Sequence, residues 1–256
     1  MLAFNNQSSL EIMKTKYIDL IEQTFDFPQE EFKLNQKYQL QFHGIDLMEL
    51  VSTYGGPLKF TYLPKISENI QNAKQWFGDA INHHQYKGTY NYCYCTKSSH
   101  FKFVLDRVLE NEVHLETSSA FDINIIERLI EQGKIKTNTK VICNGFKRSQ
   151  YIENISRLIN NGFKNCVPII DNYEEVNLLT DSISEPFDVG IRIASEEEPK
   201  FEFYTSRLGI GYKNIVPYYK KHLKKNSKVR LTMLHFFINT GIQDQSYYWN
   251  ELLKCM

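Results

Sequence analysis

Lys97 closes a short apolar run, Tyr92-Cys93-Tyr94-Cys95-Thr96-Lys97, before small polar residues (Ser98-Ser99-His100) and then an apolar pattern of helical period. A lysine at the carboxyl edge of a strand stands where α/β folds place their chemistry. Taken out of water, its amine loses a proton and becomes a nucleophile that condenses with carbonyl groups. The plainer account of any one such residue is a strand-end lysine snorkelling to solvent. Later apolar runs also end in polar or reactive residues: Glu116 to Ser119, Asn144, Asp171, Arg192 and Asn239. Arg192 lies on an otherwise apolar run, and a buried arginine requires a partner. Ser118 and Ser119 read as caps of a helix starting at Ala120. Asp122 suits the positive end of that helix. His235 reads as a satisfied core histidine.

The elements that must position these residues alternate. Strand-like runs cover Tyr92–Lys97, Val113–Ser119, Lys140–Gly145, Cys166–Asp171, Asp188–Ala194 and Leu231–Asn239. Between them, Val104/Leu105/Val108/Leu109, Ile125/Ile126/Leu129/Ile130 and Ile152/Ile155/Leu158/Ile159 form helical stripes. A spacing of about 20 to 27 residues is that of βα units, so the sheet is predicted to be parallel. No Gly-x-Gly-x-x-Gly follows the first strand, which speaks against a dinucleotide-type doubly wound sheet. Reactive residues at several strand ends favour a TIM-type (β/α)8 barrel, with six of its eight strands in this chain. Residues 1–60 differ. Tyr38, Leu40 and Phe42 alternate as in a half-exposed strand, Asp46–Val51 reads as helical, and Gly55-Gly56-Pro57 ends it. This gives a short α+β N-terminal segment, 1–60, followed by a barrel over 61–256.

Composition excludes several classes. Lys+Arg and Asp+Glu balance at 30 each, so no polyanion-binding surface for nucleic acid is implied. The run Lys220-Lys221-His222-Leu223-Lys224-Lys225 reads as the wet face of a helix. No apolar stretch approaches the roughly 20 residues needed to span a membrane, and the first ten residues lack an apolar signal core. The five cysteines read as reduced thiols in a cytoplasmic protein. No metal set is completed around Cys93 and Cys95.

Tyr54-Gly55-Gly56-Pro57-Leu58, Cys95-Thr96-Lys97, Leu115-Glu116-Thr117-Ser118-Ser119 and Val189-Gly190-Ile191-Arg192 occur in the order and spacing of the alanine-racemase-like group of pyridoxal-phosphate decarboxylases. The chain resembles that group over roughly residues 45–250. Val141-Ile142-Cys143-Asn144-Gly145-Phe146-Lys147, Ser206-Arg207-Leu208-Gly209-Ile210 and Leu234-His235-Phe236 are most similar to biosynthetic arginine decarboxylases. The resemblance implies a barrel followed by a β-domain, a homodimer, and decarboxylation of an amino acid, arginine to agmatine in polyamine biosynthesis. It implies pyridoxal 5'-phosphate held by Lys97, with Glu116 and Arg192 in the cofactor pocket. Where most of the group carry a ring-stacking histidine, this chain has Phe237, which keeps an aromatic plate but donates no hydrogen bond. Thr240 matches a serine near the phosphate. The group's later glycine-rich phosphate loop and C-terminal domain have no counterpart before Met256, which gives the expectation of a truncated chain. A catalytically impaired homologue that binds and regulates an active decarboxylase is the alternative, and a sugar-phosphate enzyme using a strand-end lysine is the third reading.

Overall fold

The computed structural model describes residues 31–194, 208–237, 246, 249–250 and 252–253. The chain divides into two compact units, Met1–Thr61 and Tyr62–Met256.

In the first unit, β1 (Phe32–Leu34), β2 (Leu40–Phe42) and β3 (Ile45–Asp46) form an antiparallel sheet in that order. Asn35 shapes the β1–β2 turn, its Oδ1 accepting from the backbone of Lys37 and Gln39 at 2.8 and 3.0 Å. Tyr38 belongs to that turn with φ 59°, so the strand predicted to include Tyr38 starts at Leu40. Helix α1 (Leu47–Tyr54) is capped by Asp46, whose carboxylate accepts from the backbone of Met48 and Glu49.

The second unit opens with α2 (Pro64–His83), its proline in the first turn, where the missing N–H costs nothing. Strands and helices then alternate: β4 (Cys93–Cys95), α3 (Lys102–Leu109), β5 (His114–Thr117), α4 (Ala120–Glu131), β6 (Val141–Cys143), α5 (Ser149–Asn160), β7 (Cys166–Ile170), α6 (Glu175–Ser182) and β8 (Phe187–Ala194). A two-residue β9 (Ile210–Gly211), helix α7 (Tyr212–Tyr218), a π-turn (Tyr219–Leu223) and β10 (Val229–Phe236) follow. The last strand thus begins two residues before the predicted Leu231, and Phe237 lies just beyond its end. Lys220, Lys221, Lys224 and Lys225 are exposed.

The large strands order as β4-β5-β6-β7-β8-β10, every neighbour pair parallel. Each strand lies beside its predecessor and the order never reverses. A doubly wound sheet would contain a switch point. Right-handed crossovers in one direction put all the helices on one face, which is the geometry of a barrel wall. That outer face carries the main core: Leu115, Val141, Cys143, Ile170, Val189 and Ile191 pack with helix residues such as Leu105, Ile126, Ile155 and Leu179. Ile142, Val167 and Ile169 make a second cluster on the inner face with Cys93 and Met233. Each strand therefore alternates between a helix-facing and an inward residue. Cys143 and Cys166 are buried free thiols with sulfurs 3.4 Å apart.

Strand β10 departs from simple alternation. Its register against β8 shifts between Leu231 and Met233: Leu231 pairs with Val189, Met233 with Gly190 and His235 with Arg192. The bulge moves the second half of the strand to the inward face. Leu231 packs in the outer core and Met233 in the inner one.

Candidate active site

Lys97 lies two residues past the end of β4, on a turn held from both sides. Thr96 is fully buried and donates its backbone N–H and hydroxyl to the Glu116 carbonyl at 2.9 and 3.1 Å. Ser98 N–H returns to the Cys95 carbonyl at 3.1 Å, and the Tyr94 hydroxyl donates to the Ser99 carbonyl at 3.0 Å. The turn fixes the backbone of Lys97 and leaves its side chain exposed. The side chain is thus solvent-facing, not taken out of water. The fully buried lysine of the barrel mouth is Lys147.

Glu116, at the inward position near the end of β5, accepts from Asn144 Nδ2 at 3.1 Å. Next to it, the start of α4 is capped: Ser119 Oγ accepts from Asp122 N–H at 3.4 Å, while the Asp122 carboxylate accepts from the N–H of Ser118, the residue before the cap, at 2.9 Å. The two serines and Asp122 thus serve the helix start. Arg192, inward on β8, places its guanidinium 3.8 Å from Asp171 Oδ1 and 5.7 Å from the Phe237 ring centre. Thr240 lies outside the described residues.

Sequence reasoning missed what lies behind this ring of side chains. Lys147 follows β6, and its side chain is wholly buried. Its ammonium donates to the Gly145 carbonyl at 2.9 Å, to the Ile169 carbonyl and to Glu175 Oε2 at 3.2 Å. Asp171 Oδ2 is 3.9 Å away. Glu175, also buried, accepts from the backbone of Asp171 at 2.8 Å and of Lys147 at 3.1 Å, and from Asn172 Nδ2 at 3.0 Å. One lysine thus ties the ends of β6 and β7 to the start of α6. In the sequence, Lys147 stood at the end of Cys-Asn-Gly-Phe-Lys, and nothing singled out Glu175.

The mouth also holds buried polar atoms without a hydrogen-bond partner among the described residues: Asn144 Oδ1, both Asp171 carboxylate oxygens, Arg192 Nε and His235 Nδ1. His235 is therefore not the satisfied core histidine of the sequence reading. Burial, reinforced by the Arg192 and Lys147 cations, pushes its pKa down to about 4. It stays neutral at physiological pH. Burial raises the Asp171 pKa, with Lys147 and Arg192 opposing and Glu175 assisting. On β4, burial lifts the Cys93 thiol to about 11, aided by Glu116, and lifts Cys95 as well. Both thiols are thus weak nucleophiles at neutral pH. Unpaired buried acceptors and donors cost free energy, and here they come from four successive strands at one end of the barrel. Such a cluster is what a polar ligand would satisfy. Among the described residues, no group of three or more His, Cys, Asp or Glu could hold a metal ion, and no helix is long and apolar enough to cross a membrane.

The six main strands form a partial parallel α/β barrel whose fold is that of solved amino-acid decarboxylases. The chain overlays diaminopimelate decarboxylase from M. jannaschii with a TM-score of 0.71 at 16% identity, over 88% of this chain and 52% of that one. The biosynthetic arginine decarboxylase SpeA of Campylobacter jejuni gives 0.67 at 19%, over 88% and 38%. Lysine decarboxylase from Selenomonas ruminantium gives 0.60 at 16%, over 88% and 51%. In sequence the chain is similar to biosynthetic arginine decarboxylases. That of Prochlorococcus marinus (strain MIT 9215) is 27% identical over 218 residues, 78% of this chain and 33% of the relative. That of Rhodopirellula baltica is 21% identical over 218 residues, 78% of this chain and 31% of the relative. The chain thus spans about a third of the length of these relatives. No protein-family model matches it.

Proposed function

We propose that this chain forms the cofactor-binding barrel of a pyridoxal-phosphate-dependent amino-acid decarboxylase acting on arginine. The observation that carries the reading is the barrel mouth. There an exposed primary amine follows the first barrel strand, at the same carboxyl edge of the sheet as inward polar groups whose buried atoms lack a partner among the described residues. The donor set suits a planar anionic aldehyde. Lys97 provides the amine for a covalent imine, Arg192 a guanidinium whose Nε lacks a partner, and Phe237 an aromatic face 46% exposed. Glu116 adds a carboxylate whose orientation Asn144 fixes. Thr240 is assigned to the phosphate. When bound, pyridoxal phosphate supplies a conjugated ring that accepts the electron pair left as carbon dioxide departs. The protein's part is to hold that ring, orient the substrate carboxylate and exclude water.

Arginine as substrate, with agmatine as product for polyamine biosynthesis, rests on the likeness to biosynthetic arginine decarboxylases. With the same likeness go a cytoplasmic homodimer and the packing of residues 1–60 against a C-terminal β-domain. The test is release of labelled carbon dioxide from carboxyl-labelled arginine by protein loaded with cofactor, with ornithine, lysine and diaminopimelate alongside. Preferential turnover of arginine supports the assignment; turnover of another substrate alone overturns it. Phe237 favours a second reading, a homologue with impaired catalysis that binds an active decarboxylase. It predicts a stable complex with a full-length relative and no turnover of any of the four.

A further inference from the structure

Asn144 is held more firmly than a strand-end asparagine needs to be. Its N–H donates to the Thr117 carbonyl at 2.9 Å, and its own carbonyl accepts from the Tyr151 hydroxyl at 3.2 Å. Tyr151 is buried and shares a second hydrogen bond of 2.9 Å with Thr117 Oγ1. The next residue, Gly145, has φ +84°, and a Cβ there would stand 3.1 Å from the Ser118 carbonyl oxygen. The buried Lys147 ammonium grips the Gly145 carbonyl. The backbone is therefore fixed on both sides, and the side chain has one rigid origin. It caps no helix: the N-cap of α5 is Arg148, with no side-chain cap hydrogen bond. Instead, Nδ2 donates to Glu116 Oε1, while Oδ1 is buried with no hydrogen-bond donor among the described residues. The carboxylate fixes this assignment, because only the NH₂ end of the amide can donate to it. A preorganised, buried acceptor left open at a ligand site is a group waiting for a donor.

We propose that Asn144 is a positioning and recognition residue of this site. It locks Glu116 in one orientation, and it offers Oδ1 to an N–H or O–H donor of the bound ligand. Two ligands carry such a donor, the ring hydroxyl of the cofactor and the ammonium group of an amino-acid substrate. The inference rests on the reading of the mouth as a pyridoxal-phosphate site.

The test titrates pyridoxal phosphate into the wild type, Asn144→Ala, Glu116→Ala and the double variant, following the absorbance of the Lys97 adduct without amino acid. Arginine is then titrated into each loaded protein, following the change in the same band. Loss of one hydrogen bond in a dry site corresponds to about tenfold in affinity. If the donor is the cofactor's, Asn144→Ala weakens cofactor binding about tenfold, and does so again in the Glu116→Ala background. If the donor is the amino acid's, cofactor affinity stays within twofold in that background and arginine affinity falls about tenfold. Either result supports the proposal. Asn144→Ala with no effect beyond that of Glu116→Ala overturns it, because the amide would then act only by holding the carboxylate. Urea midpoints for the variants separate these outcomes from unfolding. A wild type that forms no adduct overturns the site reading itself and this proposal with it. A wild type that forms one, with variants that match it, overturns the proposal alone.

Discussion

Replacing Lys147 with methionine removes the only buried ammonium described in the mouth while nearly keeping side-chain volume. Lost are the hydrogen bonds to the Gly145 and Ile169 carbonyls and to Glu175 Oε2, and the 3.9 Å approach to Asp171. Breaking a buried ion pair from one side costs about 3–5 kcal/mol. Two features set the figure here. Glu175 keeps three donors, the backbone of Lys147 and Asp171 and the Asn172 amide, so its charge remains partly solvated. Among the described residues Asp171 retains only Arg192 at 3.8 Å, with both oxygens unpaired, and its already raised pKa rises further. We therefore expect about 3 kcal/mol of lost stability, a large fraction of the 5–15 kcal/mol typical of a whole domain. The assay is urea unfolding followed by far-ultraviolet circular dichroism, with exposed Lys221→Met as control. With a slope of roughly 2 kcal/mol/M, the midpoint should fall by about 1.5 M, against almost no change in the control. Glu175→Gln keeps the acceptor oxygen without its charge, so the double variant should lose at least about 1 kcal/mol less than the sum of the singles. A loss under about 1 kcal/mol for Lys147→Met, or additive singles, refutes the view that this lysine clamps the mouth.

Other expectations follow from single positions. His235 has a folded pKa of about 4 against an ordinary value near 6.5. The unfolded imidazole therefore takes up a proton first as pH falls. Its contribution to stability is complete above pH 6.5 and declines by roughly 3 kcal/mol between 6.5 and 4. The raised pKa of Asp171 acts with the opposite sign on the acid side, so the measurement is wild type against His235→Leu. The difference should depend on pH in that window, and a flat difference contradicts the assignment. Gly209→Ala should cost about 1–3 kcal/mol, because at φ +103° its Cβ would stand 2.8 Å from the Ala194 amide nitrogen; an unchanged melting temperature would count against this. Ser119→Ala removes the α4 cap and should cost about 1 kcal/mol, read from the same melts.

The parallel barrel wall was legible because βα spacing and helical stripes survive in a single sequence. Six apolar runs became six neighbouring parallel strands, and helices such as α4 and α5 carry the stripes Ile126/Leu129 and Ile155/Leu158 into the core. Capping at Ser119 was legible for the same local reason. Three features were not. The bulge between Leu231 and Met233 leaves no mark in composition, and it turns His235 inward beside Arg192. Tyr38 alternates with Leu40 and Phe42 yet lies in a turn, because Asn35 draws the local amides into its own side-chain hydrogen bonds. The burial of Lys147 depends on acceptors 2, 22 and 28 residues away, a convergence that no local pattern encodes. Candidate site residues announced themselves as polar endings of apolar runs. The partners that fix them did not.

Lys97 is the residue on which the cofactor assignment rests. Incubation of the protein with pyridoxal phosphate, reduction with borohydride and peptide mass mapping should place the pyridoxyl group on the peptide containing Lys97. Lys97→Ala, with unchanged circular dichroism, should lose it. No adduct in the wild type, or an adduct retained on another lysine in Lys97→Ala, would contradict the assignment of this barrel mouth as a pyridoxal-phosphate site built on Lys97.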